Sequence, residues 1–171
     1  MQHLNIELKA RCDNPEKIRK FLIENNAEYR GQDHQIDTYY NSKNGRLKIR
    51  RGNIEDSLVF YQRDDTPEQK ESQIILEANP SKDLEKILSL SNEILVIVDK
   101  KREIYFIRNV KFHIDQVENL GSFIEIEAIS ENNKIPKEIL IKQFNYYTEQ
   151  LHIKDLDLID KSYSDMILEL K

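Results

Sequence analysis

Cysteine and long apolar runs are what this sequence most clearly lacks. Cys12 is the only cysteine among 171 residues, which excludes a disulfide framework and a zinc site built from several thiolates. No apolar run approaches the roughly 20 residues that a membrane-spanning helix requires. The chain starts directly with a strand pattern rather than a signal-peptide pattern. We therefore expect a cytoplasmic protein with no membrane partner.

Positive charge is also the minority charge in this chain. The sequence has 31 acidic and 26 basic side chains, and its formal net charge is -5. This balance argues against broad binding to nucleic acid, so any cationic site must be local. No linker, low-complexity tract or internal repeat divides the sequence. We expect residues 1–171 to form one domain.

The segment His3–Arg11 alternates with the period of a β-strand. Its apolar face consists of Ile6, Leu8 and Ala10, and its polar face consists of Asn5, Glu7, Lys9 and Arg11. The same alternation recurs in Gly45–Arg51, where the polar face is basic, and in Phe123–Ala128, where it is acidic. Each strand thus has one face to bury and another that carries charge, and the sign of that charge differs between strands.

The remaining segments predict more strands and a few helices. Strand patterns cover residues 29–40, 57–63, 72–78, 94–106 and 112–118, and helical patterns begin at Pro15, after Ser81 and at Pro136, with a final helix over Leu158–Leu170. Short turns join the strands, and one of them ends in Asn44-Gly45. We therefore predict an α+β fold, a closed antiparallel eight-stranded β-barrel with flanking helices.

Strand periodicity places six basic residues on a common face. They are Lys9, Lys48, Arg50, Arg63, Lys100 and Arg102. Burial of such groups without anionic partners would cost several kcal/mol each. One interpretation is that they only pair with the acidic residues of neighbouring strands or lie on a solvated face. The other is that the basic wall binds a polyphosphate and the acidic residues bind its Mg²⁺ or Mn²⁺ ions.

Five motifs follow one another along the chain: Asn5-Ile6-Glu7-Leu8-Lys9, GRLKIR, YQR, DKKR and HIDQVENLGSFIEIE. Their order resembles that of the CYTH superfamily, and the resemblance runs from about Asn5 to Tyr163. The superfamily includes class IV adenylyl cyclases, thiamine triphosphatases and inorganic triphosphatases of the triphosphate tunnel metalloenzyme fold. The segment VENLGSFIEIE is most similar to the bacterial class IV cyclase-like branch. The resemblance implies a tunnel whose basic residues bind triphosphate and whose acidic residues bind divalent metal, and it is compatible with a homodimer.

Position by position, the resemblance implies roles for individual residues. Metal would be bound by Glu7, Glu125 and Glu127. Triphosphate would be bound by Lys9, Lys48, Arg50, Arg63, Lys100, Arg102 and, near the C-terminus, Lys161. Within this set, catalytic roles are implied for Lys9, Arg50 and Arg102, together with Asp115 near the metals.

One position departs from the family pattern E-x-E-x-K, because its first glutamate is replaced by Asn5. An amide oxygen can bind a metal but brings no charge, so a second metal would be held more weakly. Two other residues of the predicted barrel interior have a structural interpretation as well as a functional one. Tyr61 could pack in the barrel wall, and His113 could be an interior hydrogen-bonding group rather than a proton carrier.

The resulting functional prediction is an enzyme that acts on a small-molecule triphosphate with Mg²⁺ or Mn²⁺. A class IV adenylyl cyclase-like reaction on ATP is the first expectation, and a triphosphatase is the alternative. A further alternative is a polyphosphate- or nucleotide-binding module without activity. The polar segment Asp64–Glu71 is predicted to be one of the loops that recognise the substrate.

Overall fold

The computed structural model describes residues 2–63 and 70–170, and in them eight strands form a closed antiparallel barrel. The strands are β1 (Gln2–Arg11), β2 (Glu28–Tyr40), β3 (Arg46–Arg51), β4 (Ser57–Arg63), β5 (Lys70–Ala78), β6 (Ile94–Ile107), β7 (Val110–Val117) and β8 (Gly121–Glu131). Their order around the barrel is β1-β5-β4-β3-β2-β6-β7-β8, and β8 pairs with β1 to close it. The predicted α+β class and barrel are confirmed. Of the predicted loop 64–71, residues 64–69 lie outside the described residues.

The helices lie between strands and after the barrel. They are α1 (Pro15–Glu24), α2 (Lys82–Ser91), α3 (Lys137–Gln150) and α4 (Tyr163–Leu168), with a short 3₁₀ turn at Asp155–Asp157. The side chain of Asn14 accepts the backbone N–H of Lys17, and Pro15 occupies the first turn of α1. Ser81 caps α2 in the same way. None of the described helices is long and apolar enough to cross a membrane.

The main apolar core lies between the outside of the barrel and two of the helices. The alternate residues of β1, β7 and β8 that point away from the lumen pack against α1 and α3; they include Ile6, Leu8, Phe112, Ile114, Ile124 and Ile126, which meet Leu22, Leu140 and Phe144. Because side chains alternate along a strand, this arrangement turns the charged residues of the same strands into the barrel. The sequence therefore folds with its polar faces inward.

One tight turn aligns β7 with β8. Between β7 and β8 the backbone takes positive φ at Asn119 (65°) and Gly121 (98°), where asparagine and glycine are the residues that tolerate it. The resulting register places His113 opposite Glu125. On the other side of β8, Glu127 lies opposite Glu7 and Glu125 lies opposite Lys9 of β1.

The predicted helix over Leu158–Leu170 is wrong in its first part. Leu158 forms an isolated antiparallel bridge with Ala10, and the backbone N–H of Ile159 donates to the carbonyl of Lys9 at 2.8 Å. This pairing keeps the chain extended as far as Ser162, which caps α4 together with Asp165. The helix is therefore only six residues long, and its first turn covers part of the barrel interior.

Candidate active site

The barrel encloses a cavity of about 400 Å³ that is lined by residues from most of its strands. Most of its basic residues lie on different strands from its main carboxylates. Four of its basic residues lie on two strands, Lys48 and Arg50 on β3 and Lys100 and Arg102 on β6, while Lys9 of β1 and Lys111 of β7 flank the carboxylates of β8. The acidic group consists of Glu7 on β1 and Glu125 and Glu127 on β8. Since β2 and β3 lie half a turn around the barrel from β1 and β8, the basic wall around Lys48 and Arg50 faces the acidic wall. Arg102 of β6 lies between the two walls and reaches Glu125.

Asp37 of β2 organises the basic wall. It is 1% exposed, and one of its oxygens accepts hydrogen bonds from Lys48 at 2.7 Å and Lys100 at 2.6 Å. Arg50 donates to both oxygens, at 2.9 and 3.2 Å. Burial alone would raise the pKa of Asp37, but Arg50, Lys100 and Lys48 hold it well below its ordinary value. Three cations thus surround one anion, which leaves local positive charge for an anionic ligand.

This arrangement destabilises the charged form of Lys100. Its burial lowers its pKa to about 7, and although Asp37 opposes the change, Arg50, Arg102 and Lys48 add to it by repulsion. A nearby anion would restore its charged form.

Asp115 binds the guanidinium group of Arg102 through both of its carboxylate oxygens. Arg102 Nε donates to one carboxylate oxygen at 2.7 Å and Nη2 to the other at 2.5 Å, while Nη2 also reaches Glu125 at 2.6 Å. The Tyr163 hydroxyl donates to Asp115 at 2.8 Å, and the Tyr163 ring lies 3.8 Å from Lys9 Nζ. The resemblance implies a place near the metals for Asp115, but in the structure its carboxylate orients Arg102 and does not border the cavity.

The two carboxylates that β8 contributes to the acidic wall differ in their ionic surroundings. Although burial opposes it, Arg102 and Lys9 hold the pKa of Glu125 well below its usual range. Burial raises the pKa of Glu127 to about 7; Lys111 opposes this, and Glu7 and Glu125 add to it. An extra cation beside Glu127 would therefore be favourable.

A divalent ion fits the residues of this wall. Glu125, Glu127 and His113 each offer one ligand atom, and these atoms lie within 4.8 Å of one another. Burial, followed by Arg102 and Lys111, lowers the pKa of His113 to about 3, so the imidazole is neutral as a metal ligand must be. Glu7, which accepts a hydrogen bond from Ser72 at 2.9 Å, lies opposite Glu127 in the strand register.

The structure brings together most of the site residues expected from the sequence. Those that line the cavity are Glu7, Lys9, Lys48, Arg50, Lys100, Arg102, Glu125 and Glu127. Lys161 is placed differently: its ammonium group lies at the surface and pairs with Glu169, and only its carbonyl faces Lys9, at 3.3 Å. Arg63 ends β4 opposite Ser72, and the structure describes its backbone alone.

Three charged residues of the site were missed from the sequence. Asp37 could have been found, because Asp33, Gln35 and Asp37 alternate with apolar or exposed residues and share the buried face of β2. Lys111 could also have been found, since it shares strand parity with His113 and Asp115. Glu55 follows β3 in a loop and binds Arg50 at 3.0 Å and Lys111, and no periodicity predicts it.

One sector of the cavity wall is apolar. Val59 and Tyr61 of β4 and Ile74 and Leu76 of β5 line it. They lie beside the basic wall, because β4 pairs with β3. The same cavity thus offers an ionic surface for phosphates and an apolar surface for an attached organic group.

The chain matches a known family model and superposes on several solved structures. The family model of the CYTH domain matches residues 3–163. The PH1012 protein from Pyrococcus horikoshii OT3 superposes with a TM-score of 0.73 at 25% identity, over 94% of this chain and 98% of that one. A protein from Vibrio parahaemolyticus described as a candidate adenylate cyclase gives a TM-score of 0.73 at 16% identity, over 96% and 97% of the two chains.

A third neighbour comes from Hippeastrum. It is described as a candidate adenylyl cyclase with a dominant triphosphatase activity, and it gives a TM-score of 0.59 at 12% identity over 96% of this chain and 94% of that one. Among curated proteins, no relative matches the chain.

Proposed function

Because the chain belongs to the CYTH domain family, we propose that it is a divalent-metal-dependent enzyme that acts on a triphosphate held inside the barrel. One observation carries the proposal: the cavity sets three cations on Asp37 against the carboxylates of Glu7, Glu125 and Glu127 on the opposing wall. A triphosphate and its metal ion need both surfaces at once.

In the proposed site, the chain's own residues bind and orient the substrate. Lys48, Arg50 and Lys100 neutralise phosphate oxygens while Asp37 keeps them in place. Arg102, fixed by Asp115, presents its guanidinium group to the reacting phosphate, where charge builds up in the transition state. A divalent ion held by Glu7, Glu125 and Glu127 would supply further positive charge that polarises the reacting phosphoryl group.

The first candidate reaction is that of an adenylyl cyclase. The ribose 3′-hydroxyl of ATP would attack the α-phosphorus, and the bond to the bridging oxygen would break, which yields cyclic AMP and pyrophosphate. The apolar sector of Val59, Tyr61, Ile74 and Leu76 supports a nucleotide substrate, because a base can pack against it.

A triphosphatase is the second candidate. Water would then attack the γ-phosphorus of tripolyphosphate, thiamine triphosphate or a nucleoside triphosphate. The activity described for the Hippeastrum neighbour supports this reaction on the same fold. A module that binds without turnover is the third candidate, and the loss of a carboxylate at Asn5 supports it.

A product assay decides among the three. The protein is incubated with ATP, tripolyphosphate or thiamine triphosphate, each with Mg²⁺ and with Mn²⁺, and cyclic AMP, pyrophosphate and phosphate are quantified. Cyclic AMP with pyrophosphate identifies a cyclase, and phosphate release identifies a triphosphatase. Triphosphate binding without any product identifies the module and contradicts the proposal of an enzyme.

A further inference from the structure

His113 of β7 has one ring nitrogen engaged and one without a partner. The side chain is 1% exposed, and its Nδ1 lies 3.3 Å from Glu125 Oε2 and 3.6 Å from Glu127 Oε1. Its buried Nε2 has no hydrogen-bond partner among the described residues. The ring atom that faces the two carboxylates is therefore Nδ1, and it is close enough to both to share a ligand with them.

Asn5 presents the same feature on the other side of Glu127. Its Nδ2 lies 3.5 Å from Glu127 Oε2, while its buried Oδ1 has no partner in the part of the chain that the structure describes. Two unsatisfied side chains therefore border one carboxylate, and that carboxylate has no lysine or arginine in ion-pair contact within the described residues. A bound cation would supply the partner that Glu127 and the amide oxygen of Asn5 lack, and it would take His113 Nδ1 as a further ligand.

The spacing of the donor atoms suits a single ion. When metal–ligand bonds are about 2.1 Å long, adjacent ligand atoms in octahedral coordination lie about 3 Å apart. The distances from His113 Nδ1 to the two carboxylate oxygens are slightly longer, 3.3 and 3.6 Å. A small rotation of these side chains brings all three atoms into one coordination shell.

The chemistry of the donor set favours one class of ion. Mg²⁺ is bound almost entirely through oxygen and depends on carboxylate charge, whereas an imidazole nitrogen raises affinity for first-row transition ions. In this chain, one family carboxylate is replaced by the neutral amide of Asn5, while His113 adds a nitrogen.

We propose that His113 and Asn5 make this a mixed nitrogen and oxygen site that binds a first-row transition ion, such as Mn²⁺ or Co²⁺, in preference to Mg²⁺. The inference rests on the metal site of the proposed function and adds a ligand and a selectivity to it. The alternative is that His113 only donates a hydrogen bond to Glu125 and that metal binding is indifferent to the imidazole.

The test measures metal binding directly on the metal-free full-length protein. Mn²⁺ binding is followed by the electron paramagnetic resonance signal of the free ion, Mg²⁺ by competition, and Co²⁺ by its visible absorption. The variants are His113→Gln, Asn5→Glu and the control His34→Gln, which alters an exposed histidine that contacts Asp99 at 2.8 Å.

We expect the wild type to prefer Mn²⁺ over Mg²⁺ by roughly tenfold or more. His113→Gln should abolish most of that preference and shift the Co²⁺ spectrum, and Asn5→Glu, which keeps the imidazole, should reduce the preference by raising Mg²⁺ affinity. His34→Gln should match the wild type.

An unchanged Mn²⁺ to Mg²⁺ ratio and Co²⁺ spectrum in His113→Gln would overturn the inference and leave the proposed function standing. If His113→Gln does not fold, an unchanged ratio in Asn5→Glu overturns the inference instead. If neither ion binds the wild type, the metal site of the proposed function fails as well.

Discussion

Lys111 lies directly opposite Glu127 in the register of β7 and β8, yet its ammonium group bonds to Glu55 of the loop after β3. Glu127 is therefore left without a cationic partner among the described side chains, whereas its neighbour Glu125 is bridged by Arg102 at 2.6 Å and Lys9 at 3.4 Å. Two glutamates that look equivalent in the sequence FIEIEA thus have different roles in the protein without metal.

Single substitutions should separate these roles. Glu125→Gln breaks a buried ion pair and should lower the free energy of unfolding by about 3 kcal/mol. Glu127→Gln removes an unpaired charge, so unfolding in urea should show equal or greater stability than the wild type. In contrast, the rise in melting temperature on addition of Mn²⁺ should be lost in Glu127→Gln. A large loss of stability in Glu127→Gln without metal would contradict this assignment.

Arg50 gives the clearest test of the basic wall. Asp37 keeps Lys48 and Lys100 when Arg50 is changed to alanine, so the fold should remain intact. The lost charged contact should weaken tripolyphosphate binding by about 1.5–3 kcal/mol, or roughly 10- to 150-fold, in calorimetry.

Arg51→Ala is the matched control for Arg50→Ala. Arg51 is the next residue of β3 and faces outward, where it pairs with Asp56 and Glu85. The Arg51→Ala variant should bind tripolyphosphate with the affinity of the wild type. Equal affinities in the two variants would eliminate the basic wall as the phosphate site. Arg102→Ala should also weaken binding, but it leaves Asp115 and Glu125 unpaired and should destabilise the fold as well.

The barrel could be predicted because the alternation that marks each strand lies within that strand's own sequence. Each strand of this barrel alternates apolar and charged residues, so the face of Lys9 or Lys48 follows from its position in the strand. The alternation along a strand does not predict, however, how deeply a side chain is buried or which groups it contacts. It placed Asp115 on the inner face but could not show that Arg102 covers it. It also could not show that β2 brings Asp37 beneath cations from β3 and β6.

The C-terminal segment shows the limit of sequence patterns more clearly. A helical pattern over residues 158–170 gives no hint that Ile159 hydrogen-bonds to β1. In the resulting arrangement the ammonium group of Lys161 lies at the surface, and Tyr163 lies in the cavity wall. The sequence around Ile159 does not predict its pairing with β1.

Asp115 is predicted to act through Arg102 rather than on the substrate. Asp115→Asn should destabilise the protein by about 3 kcal/mol and weaken tripolyphosphate binding, because the guanidinium group loses its bidentate partner. Tyr163→Phe removes a single hydrogen bond to Asp115 and should cost about 1 kcal/mol in urea unfolding. Lost turnover in Asp115→Asn with unchanged binding and stability would instead indicate direct action on the reacting groups.

Lys100 should make the stability of the ligand-free protein depend on pH. Its pKa is lowered to about 7 in the folded protein by burial and by neighbouring cations, despite Asp37, whereas an unfolded lysine titrates near 10.4. Between these values the unfolded chain binds more protons, so stability rises with pH. The penalty is complete below about pH 7 and is relieved as the pH increases towards 10.

Lys100→Met removes this contribution and tests it. The variant should be more stable than the wild type at pH 7, and the difference should shrink by at most about 1.4 kcal/mol per pH unit up to pH 10. Lys101→Met, at the neighbouring exposed position, should follow the wild type. A difference between Lys100→Met and wild type that is constant over this range would contradict the lowered pKa.

The same titration should appear when a triphosphate binds. At pH 8 the ligand-free Lys100 is mostly neutral, and the charge of the phosphates favours its ammonium form. Binding should therefore take up close to one proton, which calorimetry in two buffers of different ionisation enthalpy measures directly. Lys100→Met should take up correspondingly less. Equal uptake by wild type and variant would show that the triphosphate does not contact this part of the basic wall, since an uncharged side chain at position 100 has no proton to gain.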